Sequence, residues 1–301
     1  MALRPPPFAV YSDLHKRKQA PRNEGLVESL LLSLDQFIMS IKPTSSKTAK
    51  PAITAHHNRL AEEIIYRLLV QLPARSTFKR VWLKIDGPLP HPADGPLIGY
   101  LNHPSWWDGY ATFFLHREIF RRRFIPYLMM EESQLRAYRF FSWIGVFSVD
   151  FRDRAKAAQS TNYIARLLHE RRDRCFWIFP QGKLTPNERR PITIYPGTAR
   201  IAIQSGGATL WPVAVRYEFR YEQHAEMFIR AGPPHYAPPD SDEATLTTDI
   251  TQRLTTAVDI LRDEVAAEQL DDYHVLLRGR PGINQAADVV RALWVRLVGG
   301  G

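Results

Sequence analysis

The chain has 301 residues and one cysteine, Cys175. An intramolecular disulfide is impossible, and zinc sites built on cysteine clusters are excluded. Cys175 lies in the apolar run Cys175-Phe176-Trp177-Ile178-Phe179, so a buried strand thiol is expected. No stretch of about 18 apolar residues occurs, and no membrane-spanning helix is expected. Met1 to Pro7 carries Arg4 and a proline run in place of an apolar core, so no signal peptide is expected. Several catalytic signatures are also missing. The absence of any G-x-S-x-G elbow argues against a serine hydrolase. Gly182-Lys183 lacks the earlier glycine that a Walker loop needs. There is no H-E-x-x-H, and His56-His57 has no partner at ligand spacing, so no metal is expected.

What is present is an ordinary globular composition, 45% hydrophobic and 24% charged, which supports a sizeable core. Forty Lys and Arg against thirty-one Asp and Glu give a formal charge of +9. Such an excess points to an anionic partner: a phosphorylated cofactor, an acidic carrier protein, anionic lipid or nucleic acid. A merely basic surface on a soluble protein is the plain alternative. The arginines are scattered and no nucleic-acid motif occurs, so nucleic acid is not the expected partner.

Residues 1–75 read as an N-terminal appendage, with a basic, proline-rich tail over 1–23. Leu26, Leu30, Leu34, Phe37 and Ile41 recur at helical spacing over 24–41. That helix suits either a membrane interface or the main core. A second helix is predicted at about 58–72, ended by Pro73. Residues 76–301 then alternate between strands and helices. Strands are predicted at 78–85, 97–101, 124–130, 145–150, 175–179, 209–215 and 226–231. Helices are predicted at 107–120, near 133–142, at 153–171 and within 195–204. The last sixty residues read as mostly helical, at 242–268 and 285–297. This order predicts an α/β domain with a mixed central sheet flanked by helices.

The segment Leu101 to Tyr110, LNHPSWWDGY, carries the candidate chemistry. His103 follows a strand, and Asp108 opens the next helix. Such a junction projects side chains into the crevice at a strand end. A carboxylate there can accept the proton of one imidazole nitrogen and leave the other free as a base. His235 and Asp240 repeat the spacing in a proline-rich loop and serve as a control for chance. For His103 the plain alternative is a capping or core histidine.

The ordered motifs resemble the glycerophospholipid acyltransferase family, which includes the lysophosphatidate acyltransferases. Asn102, His103 and Asp108 match its Asn-His-x4-Asp block, and Gly145 to Lys156 resembles its second block. Phe179-Pro180-Gln181-Gly182 stands for its Phe-Pro-Glu-Gly loop, and WPVAV at 211–215 for its fourth block, with Pro212 in the key place. The resemblance covers about residues 78–230 and implies a glycerol-3-phosphate acyltransferase-like fold. It implies His103 as general base, oriented by Asp108, for direct acyl transfer to a hydroxyl. The donor would be acyl-CoA or an acyl carrier protein, with no other cofactor. Asn102, Arg152, Arg154, Phe179, Pro180, Gln181, Gly182, Lys183 and Pro212 would bind substrate. Backbone N–H groups near Gly182 or Trp106 would face the oxyanion. The family's helical N-terminal segments imply peripheral or monotopic attachment to the cytoplasmic face of a membrane, with anionic lipid as partner.

The third block departs from the family's Phe-Pro-Glu-Gly-Thr-Arg. Gln181 replaces the glutamate, and Leu184 stands where an arginine is thought to hold the acceptor's phosphate. In the second block Phe151 aligns with another expected arginine. A neutral or sugar-like hydroxyl on an apolar body, such as a glycolipid, is therefore the expected acceptor. A lysophospholipid held by Lys183 is the alternative. A nucleic-acid-binding protein and a non-catalytic membrane-associated relative are the remaining rivals, and the intact pair His103 and Asp108 argues against the latter.

Overall fold

A computed structural model of the protein describes residues 50–280 apart from Glu222. The predicted helices at 24–41 and 285–297, and the basic tail, lie outside the described residues. The described residues belong to one compact unit. Its sheet has nine strands among the described residues, in the order β4-β3-β5-β2-β6-β7-β1-β9, with β9 (His274–Arg278) at the far edge and β8 (His235–Ala237) paired to β6. From the β4 side, β4 (Val146–Val149), β3 (Ile125–Glu131), β5 (Arg174–Ile178), β2 (Leu97–Leu101) and β6 (Ala208–Glu218) run parallel. The antiparallel step from β6 to β7 (Ala225–Ala231) reverses the direction, and β1 (Phe78–Ile85) runs with β7. The mixed α/β fold with helices on both sheet faces is the one expected from the sequence.

Strand alternation divides the core between those faces. Leu97, Leu101, Cys175, Trp177, Trp211, Val213 and Val215 share one apolar cluster. A π-helical turn (Tyr66–Gln71) and α2 (Leu72–Thr77), which follow α1 (Arg59–Ile65), cover this face together with α3 (Asp108–Phe114). Ile98, Tyr100, Phe176, Leu210 and Ala214 point the other way. There they meet α5 (Arg154–Glu170), α6 (Gly197–Gln204) and the long α7 (Glu243–Ala266). Helix α4 (Glu132–Ala137) lies between β3 and β4. Gly99 faces Trp177 across the β2–β5 pair, and a Cβ there would come within 2.2 Å of the indole. The bare backbone of Gly99 leaves room for the buried Trp177 ring.

Four expectations need correction. Pro73 does not end its helix, which runs on to Thr77. Proline has no N–H for the carbonyl four residues back. The Tyr110 hydroxyl donates to that Leu69 carbonyl instead, at 2.9 Å. The same segment is no free appendage, since Tyr66, Val70 and Ala74 are core residues of the sheet unit. The C-terminal region also holds a strand, β9 (His274–Arg278), which pairs with β1. Its run His-Val-Leu-Leu-Arg is too short for its period to tell strand from helix. Finally, the supposed loop at His235 forms β8, and His235 turns to Tyr100 and Asp249 rather than Asp240.

Candidate active site

Parallel strands end together, so their following loops gather along one sheet edge. Strand β2 ends at Leu101, and the chain then turns through Asn102, His103 and Ser105 before α3 starts at Asp108. Asp108 is fully buried at that helix start. His103 Nδ1 lies 2.7 Å from Asp108 Oδ2. Oδ2 also accepts the Ser105 N–H at 2.9 Å, and Oδ1 accepts the Tyr217 hydroxyl at 2.7 Å. Burial pushes the Asp108 carboxyl above its usual range, and the three donors pull it back. With the carboxylate ionised, Nδ1 must carry the proton, and Nε2 is the basic nitrogen. The His103 side chain keeps 24% exposure, while Asp108 has none, so the ring is the part of the pair that meets solvent.

The loop after β5 supports the imidazole from the other side. The Phe179 ring stacks on the His103 ring at 4.3 Å between centroids. The His103 backbone N–H donates to Gln181 Oε1 at 2.8 Å, and the Thr185 N–H donates to the His103 carbonyl at 2.7 Å. Because His103 supplies an N–H, the oxygen of the buried Gln181 carboxamide must face it. The amide NH2 is left as the second arm of that side chain. Gly182 takes a positive φ of 66°, and a Cβ there would come within 2.8 Å of Tyr195. Its N–H donates to the Phe179 carbonyl, so it is not a free oxyanion donor.

The other predicted site residues are placed differently. Asn102 gives both amide hydrogens to Asn187 Oδ1 and the Val215 carbonyl, and its oxygen accepts the Val215 N–H. This correction moves Asn102 from binding substrate to fastening the end of β2 to β6 and the loop. Pro212 is likewise buried in β6, paired with Tyr100, and its carbonyl accepts the Gly232 N–H. It is part of the sheet rather than the crevice wall. Pro180 is buried, and Lys183 is exposed beside the site loop. Arg152 and Arg154 follow β4, three strand spacings from β2 or about 14 Å. Arg152 is mostly in solvent, 3.8 Å from Glu131. Cys175 is buried and its thiol is pushed up by burial, which keeps it un-ionised.

Sequence reasoning missed Tyr217. In Trp211, Val213, Val215 and Tyr217 the alternation marks one buried face, and nothing distinguishes the last residue as a partner for Asp108. An apolar cavity of about 140 Å³ was also not anticipated. It runs beside α3, lined by Leu69, Trp106, Gly109, Tyr110, Phe113 and Leu128 among others. No group of three or more potential metal ligands occurs among the described residues.

A model of the acyltransferase family matches residues 83–216, a stretch that contains His103, Asp108 and Gln181 and stops one residue before Tyr217. Among solved structures, the chain is similar to the 1-acyl-sn-glycerophosphate (LPA) acyltransferase PlsC from Thermotoga maritima. The two share 15% identity with a TM-score of 0.47, over 68% of this chain and 79% of that one. No curated protein matches the chain significantly.

Proposed function

We propose that the acyltransferase-family domain of this chain moves an acyl group from a thioester to a hydroxyl of a lipid-like acceptor. The observation that carries the reading is the buried Asp108 bonded to His103 Nδ1, with the ring partly exposed to solvent. In this reading Nε2 takes the acceptor's hydroxyl proton as its oxygen attacks the thioester carbonyl. The tetrahedral intermediate then expels the thiolate, which takes the proton back from the imidazolium. Asp108 stabilises that imidazolium. The Gln181 amide, whose oxygen meets the His103 N–H, offers its NH2 as a donor for the developing oxyanion. The cavity beside α3 suits the hydrocarbon of the acyl group, being lined mostly by apolar and aromatic side chains, with Glu62, Thr112 and His116 among them. Turnover of acyl-CoA and acyl carrier protein, assayed separately with lipid acceptors on liposomes, tests the reaction. Absence of any thioester consumption in every combination would sink it.

The acceptor in this reading carries a neutral hydroxyl, as in a glycolipid. Leu184 and Phe151 are 56% and 48% exposed, and neither can pair with a phosphate. The Gln181 NH2 can donate to a hydroxyl or ether oxygen. Purified protein offered lysophosphatidate and glycolipids in parallel is expected to acylate the glycolipid faster. Preferred, saturable acylation of lysophosphatidate would refute this. Loss of that activity in Lys183→Ala protein would then identify the exposed Lys183 as the phosphate contact.

Membrane attachment in this reading is peripheral. No helix among the described residues is long and apolar enough to cross a bilayer. Leu60, Ile64, Leu68 and Leu72 nevertheless form an exposed stripe along α1, the π turn and α2, with Leu60 at 71% exposure. Arg59, Arg67 and Arg75 flank it. An apolar stripe beside cations is suited to an anionic lipid interface. Leu69 and Trp106, both exposed, line the mouth of the cavity next to this stripe. The double variant Leu68→Glu with Leu72→Glu is expected to lose most partitioning onto anionic liposomes while staying folded. Unchanged co-sedimentation at low salt would rule the stripe out.

A further inference from the structure

We propose that Tyr217 is a positioning residue that holds Asp108 ionised and so sets the acid limb of activity. The inference rests on His103 being the general base. Asp108 is sealed from water, so both carboxylate oxygens depend on protein donors. Oδ2 has two, the His103 ring and the Ser105 N–H. Oδ1 has one among the described residues, the Tyr217 hydroxyl at 2.7 Å. The groups that face the carboxyl thus come from the end of β2, the turn before α3, and β6.

The three donors differ in what they can do. The Ser105 N–H is fixed by the turn. The His103 proton is the one whose place the chemistry needs. Tyr217 is held by stacking on Phe78 at 5.7 Å between ring centroids, and Phe78 in turn packs edge-on against Trp107. Burial and the neighbouring Asp108 push the phenol well above its usual range. It therefore stays protonated throughout the working pH range and always presents a hydrogen to Oδ1. If Asp108 took a proton, it would lose the charge that stabilises the imidazolium. Nε2 would then be a weaker base, and activity would fall.

Tyr217→Phe keeps the ring, its stacking and the strand, and removes only the donor. The remaining oxygen is then buried without a partner, which favours the protonated acid. Removing a hydrogen bond to a charged group is expected to move the acid limb of kcat/KM upward by about one pH unit. The loss at neutral pH is therefore expected to recover toward alkaline pH. The His103 imidazole, followed by NMR, is expected to hold its proton to a higher pH than in the parent, because the facing carboxylate has lost a donor and attracts the imidazolium more strongly. A pH profile lowered uniformly, with an unmoved His103 titration, would overturn the proposal and leave Tyr217 as packing. Phe78→Leu loosens the same ring without removing the hydroxyl and is expected to leave the limb in place. A limb shifted equally in that variant would count against the hydroxyl. The His103 titration needs no turnover. Retained activity in His103→Ala protein would defeat the general-base reading itself, whereas an unmoved titration in Tyr217→Phe defeats only the role of Tyr217.

Discussion

His103→Ala is expected to lower acyl transfer by about 10²–10⁴-fold, the range a positioned general base contributes. The fold is expected to survive, for a reason visible in the hydrogen bonds. The contacts that fasten the β5 loop to the end of β2 use the His103 backbone, through Gln181 Oε1 and the Thr185 N–H. Alanine keeps both. What it loses is the ring on Phe179 and the proton acceptor. Circular dichroism and the thermal midpoint should therefore stay close to the parent while turnover collapses. Near-normal turnover would remove His103 from the mechanism. His235 offers a comparison, because it too lies within reach of carboxylate, that of Asp249. Its ring is held by Tyr100, and burial beside Arg253 lowers its pKa to about 4. It is a neutral packing histidine outside the crevice, so His235→Ala is not expected to change the chemical step.

The contrast between these two histidines shows what the sequence can disclose. Both sit five residues before an aspartate, and only the strand-then-helix context separates them. That context is local, so it was legible, and so were the strands that carry it. Asn102 was harder. Its place in the motif suggested a substrate contact, but its amide closes on Val215, more than a hundred residues away. Sequence spacing holds no sign of such a bond. Tyr217 was hidden for the same reason, and in addition its alternating neighbours make it look like ordinary core. Pro73 misled because the rule that proline ends helices assumes an unmet carbonyl. Here a tyrosine from another helix supplies the missing donor. Strand β9 was lost to brevity, since five residues cannot establish a period.

Asp108→Asn separates two roles that the motif alone runs together. In a Ser-His-Asp triad, the same change reverses the imidazole tautomer and costs about 10⁴ in rate. Here the surroundings of the carboxyl argue for a smaller loss. The oxygen that meets His103 also accepts the Ser105 N–H. An amide nitrogen in that place would confront a fixed N–H donor, so the asparagine oxygen is favoured there. The NH2 would then face Tyr217, whose hydroxyl can turn to accept it. His103 keeps its hydrogen on Nδ1, and Nε2 remains the acceptor. What disappears is the negative charge opposite the imidazolium. A hydrogen bond to a charged group is worth roughly 1.5–3 kcal/mol, or about 10–10²-fold in rate. The expected kcat/KM is therefore reduced by about that factor, with a lowered His103 pKa by NMR. A loss near 10⁴ would mean that the amide had turned its nitrogen to His103 and overcome the Ser105 contact. In the double variant with Tyr217→Phe, the asparagine NH2 has no hydroxyl to meet, and the flipped orientation gives nothing back. The double variant should therefore fall no further than Asp108→Asn by more than a few fold. A rate unaffected by Asp108→Asn would show that the carboxylate does not assist the base.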